Sequence, residues 1–374
     1  MKIVYISRSI IPSRTANSIN VMKMCHTFAL LGHEVTLLAP WTKKLEEKNV
    51  DDLFSYYGIT ANFKLKKIYS PNIKYLKKKI YSYLCLKEVR KINPDFVYGR
   101  NDMFAFYLTQ QNGFLSLFEQ HEPFVKNDFE HLMFKKFIKQ KIEETKLITI
   151  SNKLKDIYSD KYNILEDSII VAQSATELFD NETLPNNIQY SKNKINIGYI
   201  GSLFKGRGIE IIIELAKKFI DFDFHIIGGR QEDIDFWKAK SKGISNLIFY
   251  GFINPKETYK YRNMCDILLA PYQNKTEGNR NSDYMSPIKI FEYMAAKKAI
   301  ICSDMPAIRE SINENHAVLV KNNNIDEWIK ALESLLQNQD NIKQISQNAY
   351  DYCKANFTYE ARCKKILKIV NEKN

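Results

Sequence analysis

The stretch Ile195-Asn196-Ile197-Gly198-Tyr199-Ile200-Gly201-Ser202-Leu203-Phe204-Lys205-Gly206-Arg207-Gly208 decides the fold. A short apolar, β-branched run ends in glycine, a basic glycine-rich loop follows, and a helical pattern opens at Ile209. Strand, glycine loop and helix in that order open a βαβ unit. Glycine lets a ligand come close to the backbone, and the cations Lys205 and Arg207 among the glycines suit a diphosphate. The loop fits neither the dinucleotide fingerprint nor the P-loop. An ordinary basic surface turn has the same composition.

The same alternation extends both ways. Strands are predicted upstream at Ile3–Ile6, Val35–Leu38, Phe96–Tyr98, Leu115–Phe118, Leu147–Ile150 and Ile169–Val171. Downstream they are predicted at Phe224–Ile227, Leu247–Tyr250, Ile267–Ala270, Ala299–Cys302 and Val318–Val320. Helical spacing separates them, as in Val21, Cys25, Phe28 and Leu31. A polar stretch from Asp180 to about Lys194 reads as a linker. The fold class is therefore α/β, with two tandem Rossmann-like domains whose parallel sheets face an interdomain cleft. The expected boundaries are 1–185 and 186–356, with a C-terminal helix at about 357–374 packing back on the first domain. In that helix Cys363, Ile366, Leu367 and Val370 share a face.

Composition agrees. At 374 residues, 45% hydrophobic and 26% charged, the chain has room for about two cores and is neither disordered nor fibrous. The formal net charge of +12 favours an anionic partner. None of the six cysteines forms a C-x-x-C pair, so zinc and dithiol chemistry are not indicated. No apolar run approaches a membrane span. Met1–Ser7 reads as a first strand, not a signal peptide, so a cytoplasmic location is expected.

A second stretch, Ser286-Pro287-Ile288-Lys289-Ile290-Phe291-Glu292-Tyr293-Met294-Ala295-Ala296, carries chemistry. Serine suits an N-cap and proline the first helical position, so a helix is predicted to start here. Lys289 in the first turn opposes the helix dipole, and a bound anion would account for it. Glu292 lies where it could accept from ribose hydroxyls. A capped helix with solvated Lys and Glu has the same sequence.

Taken in order, the pieces resemble a retaining GT-B glycosyltransferase of family 4 (glycosyl transferases group 1), of the kind that builds bacterial surface polysaccharides. They are Ala29–Leu37, Phe118–Pro123, Ile148–Ser151, Gly201–Gly208, Ile226–Gly229, Phe249–Phe252, Asp266–Tyr272, Ser286–Ala296 and Ser303–Glu310. The resemblance implies a nucleotide-diphospho-sugar co-substrate, UDP by family habit, with no cofactor or metal required. It implies a glycan or lipid-linked acceptor held by the N-terminal domain. Its catalytic set is His121, Lys205, Arg207 and Glu292: Glu292 for the ribose, Lys205 and Arg207 for the phosphates, His121 toward the donor sugar. Gly251 and Phe252 fall where the base is read. Gly201, Ser202, Gly229, Arg230, Asp283, Tyr284, Ser286, Ile288 and Lys289 complete the donor set. Arg14, Asn17, Ser18 and Arg100 are acceptor-side candidates.

The chain departs from the family at several points. The first glutamate of the family's E-x7-E motif is replaced by Tyr284, with Asp283 beside it as a substitute. Met285 and Pro287 replace glycines, and proline has no N–H to donate. Ser286 and Lys289 are the compensating groups. Ala16-Asn17 stands for the common Gly-Gly. Retention in this family is written as front-face attack, the departing phosphate taking the acceptor's proton. Asp221-Phe222-Asp223 precedes a strand, at the wrong end for a metal site. Two basic apolar segments, 73–84 and 129–142, suit either an anionic membrane or core helices with solvated faces. Nucleic acid is disfavoured because no binding module is recognisable. The competing readings are a non-catalytic sugar-nucleotide-binding partner subunit and a GT-B-fold sugar-nucleotide epimerase.

Overall fold

Parallel strands buried on both faces need near-continuous apolar runs, and this chain supplies them twice. The computed structural model describes residues 1–41, 45–71, 73, 76–126, 128–139, 145–179, 183–186, 188, 190–273, 283–321 and 324–371. It divides into two units, Met1–Gln173 with Arg362–Asn374, and Ser174–Ala361.

In the first unit the strands are β1 (Lys2–Ser7), β2 (Glu34–Pro40), β3 (Lys64–Ile68), β4 (Phe96–Arg100), β5 (Ser116–Gln120), β6 (Thr145–Thr149) and β7 (Ile169–Val171). They form one sheet in the order β3-β2-β1-β4-β5-β6-β7. Every pairing is parallel. Strand β3 was not predicted. Its sequence Lys64-Leu65-Lys66-Lys67-Ile68 is too basic to read as a buried run, and it lies at the sheet edge, where lysines discourage further pairing.

The second unit has β8 (Asn196–Ile200), β9 (Asp223–Ile227), β10 (Leu247–Gly251), β11 (Ile267–Ala270), β12 (Ala299–Ser303) and β13 (Val318–Val320). Their order is β10-β9-β8-β11-β12-β13, again parallel throughout. One face packs on the helices Ile209–Lys218 and Ile325–Leu336 through Ile212, Leu215, Trp328 and Leu332. The other packs on the helix Ile288–Ala295 through Ile290, Phe291 and Met294, with Phe291 stacked on Phe357 at 4.3 Å.

In sheets of this kind the chain reverses its direction of growth once, and ligands bind beyond the carboxyl ends of the strands at that point. The reversal falls between β1 and β4 in the first unit and between β8 and β11 in the second.

The division between units lies earlier than the expected 185/186. The Ser174 N–H donates to Ser286 Oγ at 2.8 Å and Phe179 stacks on Tyr259 at 4.4 Å, so this stretch packs with the second unit. Of the predicted linker, residues 180–182, 187 and 189 lie outside the described residues. The C-terminal helix Tyr359–Asn371 buries Cys363, Ile366, Leu367 and Val370, and from Arg362 onward it belongs to the first unit.

Candidate functional site

At the β8 end, Gly201 donates its N–H to the Ile227 carbonyl at 2.9 Å, and Gly228 donates to Gly251 O at 2.8 Å. The three strand ends are thus stitched together by backbone alone. A Cβ on Gly228 would lie 2.3 Å from Gly201 O, so only glycine fits there. Gly208 caps the helix Ile209–Lys218 with φ +73, and a Cβ on it would meet Pro271 O at 1.9 Å. Gly208→Ala is accordingly expected to cost roughly 2–4 kcal/mol, from left-handed strain plus overpacking. A lowered urea midpoint with an unchanged slope would register it.

Lys289 reaches this glycine turn from the helix Ile288–Ala295. That helix is fixed by Tyr293, whose hydroxyl accepts from Ile200 N–H at 2.9 Å and donates to Leu269 O at 3.3 Å. The Lys289 ammonium lies 3.5 Å from the centre of the Tyr199 ring and 5.3 Å from that of Tyr272. A Cβ on Gly201 would sit 3.0 Å from its Nζ. Among the described residues no carboxylate lies within ion-pairing distance of it. Burial, and then the charge of Arg207, hold this ammonium well below its ordinary pKa, with Glu292 pulling the other way.

Arg207 lies over the same Tyr272 ring, 5.4 Å from its centre, and 4.3 Å from that of Phe204. Its Nε is buried without a partner. Two cations lie against aromatic faces at the β8/β11 reversal, neither paired with an acid among the described residues, an arrangement that suits an anion. Glu292, deeper in the same helix, is held 3.6 Å from the buried guanidinium of Arg262.

Not every residue expected here joins the cluster. Ser286 is not the side-chain cap: Pro287 occupies the N-cap, and the Ser286 hydroxyl accepts from Ser174 N–H. Lys205 is exposed. Arg230 is exposed and pairs with Glu232 at 3.4 Å. Ser202 and Ile288 are exposed, and Phe252 projects outward next to Gly251. Gly229 packs against Leu203. Asp283 and Tyr284 border residues 274–282, outside the described residues, which take in much of the expected polar loop. Asp223 opens β9, at the end opposite Gly228, and pairs with Lys194 at 2.9 Å. A cavity of about 910 Å³ lies at that opposite edge, lined by Lys194, Asp266 and Lys297 among others, away from the cations described above.

In the first unit, Arg100 ends β4 and His121 follows β5. Arg100 Nη1 lies 2.8 Å from His121 Nε2 and 3.4 Å from Glu119 Oε1. Burial and Arg100 push the imidazole down to about 4, so the ring is neutral at physiological pH. Arg14 pairs with Glu47 at the surface. Ser18 is buried, and its hydroxyl donates to Ser13 O at 2.6 Å, bracing the loop instead of facing solvent. Asn17 Oδ1 is buried without a partner. In the second basic segment Phe134 and Phe137 belong to the core. Residues 74–75 and 140–142 of the two segments lie outside the described residues.

Sequence reasoning passed over Arg262, Glu119 and Arg362. The available signal was a charge at a buried position: Glu119 within an apolar strand, Arg362 beside Cys363 on the apolar face of the last helix.

Two Rossmann-like units of this topology, with an anion site at the strand reversal, define a GT-B fold. Solved structures match it along the whole chain: a glycosyltransferase from Rickettsia africae has a TM-score of 0.74 at 20% identity, covering 99% of this chain and 98% of that one. HepE from Anabaena, solved with UDP, has a TM-score of 0.70 at 13% identity, covering 100% of both chains. Residues 180–352 match the family described as glycosyl transferases group 1. Among curated relatives, the glycosyltransferase TuaH of Bacillus subtilis, named for teichuronic acid biosynthesis, is 26% identical over 176 residues, 46% of this chain and 43% of that one. The chain spans about half the length of the curated relatives it matches. Among the described residues no helix is long and apolar enough to cross a membrane.

Proposed function

We propose that the protein is a retaining, metal-independent family-4 glycosyltransferase. It moves a sugar from a nucleotide-diphospho-sugar, with UDP as the nucleotide, to a glycan or lipid-linked acceptor in surface-polysaccharide synthesis. The observation that carries this reading is Lys289: a half-buried ammonium with no acid partner among the described residues, under the charge of Arg207 and at a glycine turn that admits close backbone approach. Cleaving a sugar–diphosphate bond builds negative charge on the leaving oxygens. Fixed cations in a dry site stabilise that charge without reorganising. Glu292, steadied by Arg262, is assigned to the ribose hydroxyls, and His121 to the donor sugar. The departing phosphate takes the acceptor's proton, so no separate base is needed. The named context of TuaH and the UDP held by HepE support the pathway and the nucleotide.

The acceptor side is assigned to Arg14, Asn17 and Arg100, at the working end of the first sheet. An anionic membrane is proposed to meet the exposed Ile73, Leu76 and Tyr83 and the neighbouring Lys77 and Lys79. This places the protein at the inner face of the cell membrane.

A thermal-shift panel of UDP, GDP, ADP and CMP with their common sugar conjugates, with and without EDTA, tests the reading. Selective stabilisation by UDP and its conjugates, unchanged by EDTA, is the expected result; at 100 times the dissociation constant it amounts to about 2.7 kcal/mol. Binding without turnover of any conjugate moves the assignment to a non-catalytic partner subunit, and no shift with any compound overturns it.

A further inference from the structure

Lys289 stands where an ammonium is costly. It is half-buried, it lies in the first turn of the helix Ile288–Ala295 against the helix dipole, and it feels the charge of Arg207. No carboxylate among the described residues pairs with it. What meets it is the face of Tyr199, with 3.5 Å from the ammonium to the ring centre, and then that of Tyr272 at 5.3 Å. Arg207 repeats the arrangement. Its guanidinium lies 4.3 Å from the centre of the Phe204 ring and 5.4 Å from that of Tyr272, so the two cations share one ring.

The rings are themselves held. Tyr199 is 1% exposed in the core of the second unit, and its hydroxyl donates to Ser202 O at 2.7 Å. Ser202 belongs to the glycine turn after β8, so a single side chain ties down the turn through its hydroxyl and the ammonium through its face. Tyr272 is buried too, and its carbonyl accepts from Ser303 Oγ at 2.6 Å.

A ring face and a carboxylate hold a cation with different consequences. A carboxylate cancels the positive charge and repels an incoming phosphate. A ring attracts the cation through its quadrupole and carries no net charge. It favours the ammonium over the neutral amine, and so opposes the discharge that burial promotes.

We propose that Tyr199 and Tyr272 are positioning residues of the anion site, whose faces keep Lys289 and Arg207 charged and in place where acids would neutralise them, leaving both charges to a diphosphate. The inference rests on the donor reading of this site.

Two measurements test it. The first needs no ligand. Tyr199→Leu should lower the urea midpoint more in wild type than in Lys289→Met, because only wild type loses a cation–π contact together with the packing. Equal losses in the two backgrounds overturn the proposal, whether or not the site binds UDP. The second keeps the shape of the ring. Tyr199→Phe protein, and proteins carrying mono- to pentafluorinated phenylalanine at position 199 alone, are titrated with UDP. Fluorine withdraws the negative face with little change in size, which frees the ammonium to leave the turn before the ligand arrives. UDP affinity should fall stepwise along the series, by about 2- to 30-fold in all, the range of one cation–π contact. In a Lys289→Met background the series should stay within about twofold. A flat series in protein that binds UDP overturns the proposal. A wild type that binds no UDP strikes the donor reading instead and leaves the urea midpoints to decide this one. Should Tyr199→Leu fail to fold, the midpoints of the fluorinated series take its place, with the same difference expected between the two backgrounds.

Discussion

Lys289→Met should reduce sugar transfer about 100- to 1,000-fold, the loss that follows removal of one preorganised charge-stabilising group, roughly 3–4 kcal/mol of barrier. The same change should raise the melting temperature of the ligand-free protein. The wild-type ammonium is half-buried against Tyr199, feels the charge of Arg207, and has no ion-paired carboxylate among the described residues to offset its burial. Methionine fills similar space without a charge. Activity and stability thus move in opposite directions, which a simple packing role for Lys289 would not produce. The pH dependence follows with a definite sign. The folded pKa of Lys289 lies below its unfolded value, so across the interval between them the unfolded chain binds the extra proton and stability rises with pH. That contribution to the slope should vanish in Lys289→Met. An anion bound beside the ammonium raises its pKa again, so in the pH interval between the free and bound values nucleotide binding takes up protons.

Glu292→Ala is expected to weaken UDP binding by about 100- to 10,000-fold, since it removes two hydrogen bonds from ribose hydroxyls to a charged acceptor, each worth roughly 1.5–3 kcal/mol. Its effect on the ligand-free protein is opposite in sign to that of Lys289→Met. The Arg262 side chain is 4% exposed, and among the described residues a 3.2 Å contact to Thr258 is what it keeps once Glu292 is gone. An uncompensated guanidinium there should cost about 1–3 kcal/mol, the lower part of that range because the Glu292 side chain is itself 32% exposed and solvent screens the pair. Calorimetric titration with UDP together with a denaturation curve reads both quantities from one preparation. Retained affinity in Glu292→Ala would remove this glutamate from the site.

Most strands of both sheets were legible in the sequence because parallel strands buried on both faces leave unbroken apolar runs; their order within each sheet was not. Ile197-Gly198-Tyr199-Ile200 and Ile267-Leu268-Leu269-Ala270 announce themselves in this way. Strand β3 did not, since an edge strand carries lysines for reasons of solubility and not of burial. At the anion site, the two cations and the glycines could be read from spacing, because left-handed turns and helix starts are local features. The aromatic floor could not. Tyr199, Tyr272 and Tyr293 come from three separate segments, and only the sheet order brings them together. The cap was misassigned because Ser286 has a stronger claim on its hydroxyl from the Ser174 N–H, far away in sequence. Glu119 and Arg362 illustrate the same limit: a lone charge in an apolar pattern signals a buried partner but does not say which one.

The central claim is that the glycine turn after β8, with Lys289 and Arg207, is a nucleoside-diphosphate site. Its most direct test is calorimetric titration of UDP in EDTA, in two buffers of different ionisation enthalpy, with wild type and Lys289→Met side by side. Wild type should bind UDP saturably, with proton uptake on Lys289 where the pH lies between its free and bound pKa, and the variant should bind far more weakly and take up fewer protons there. Equal affinity and equal proton exchange in the two proteins would contradict it.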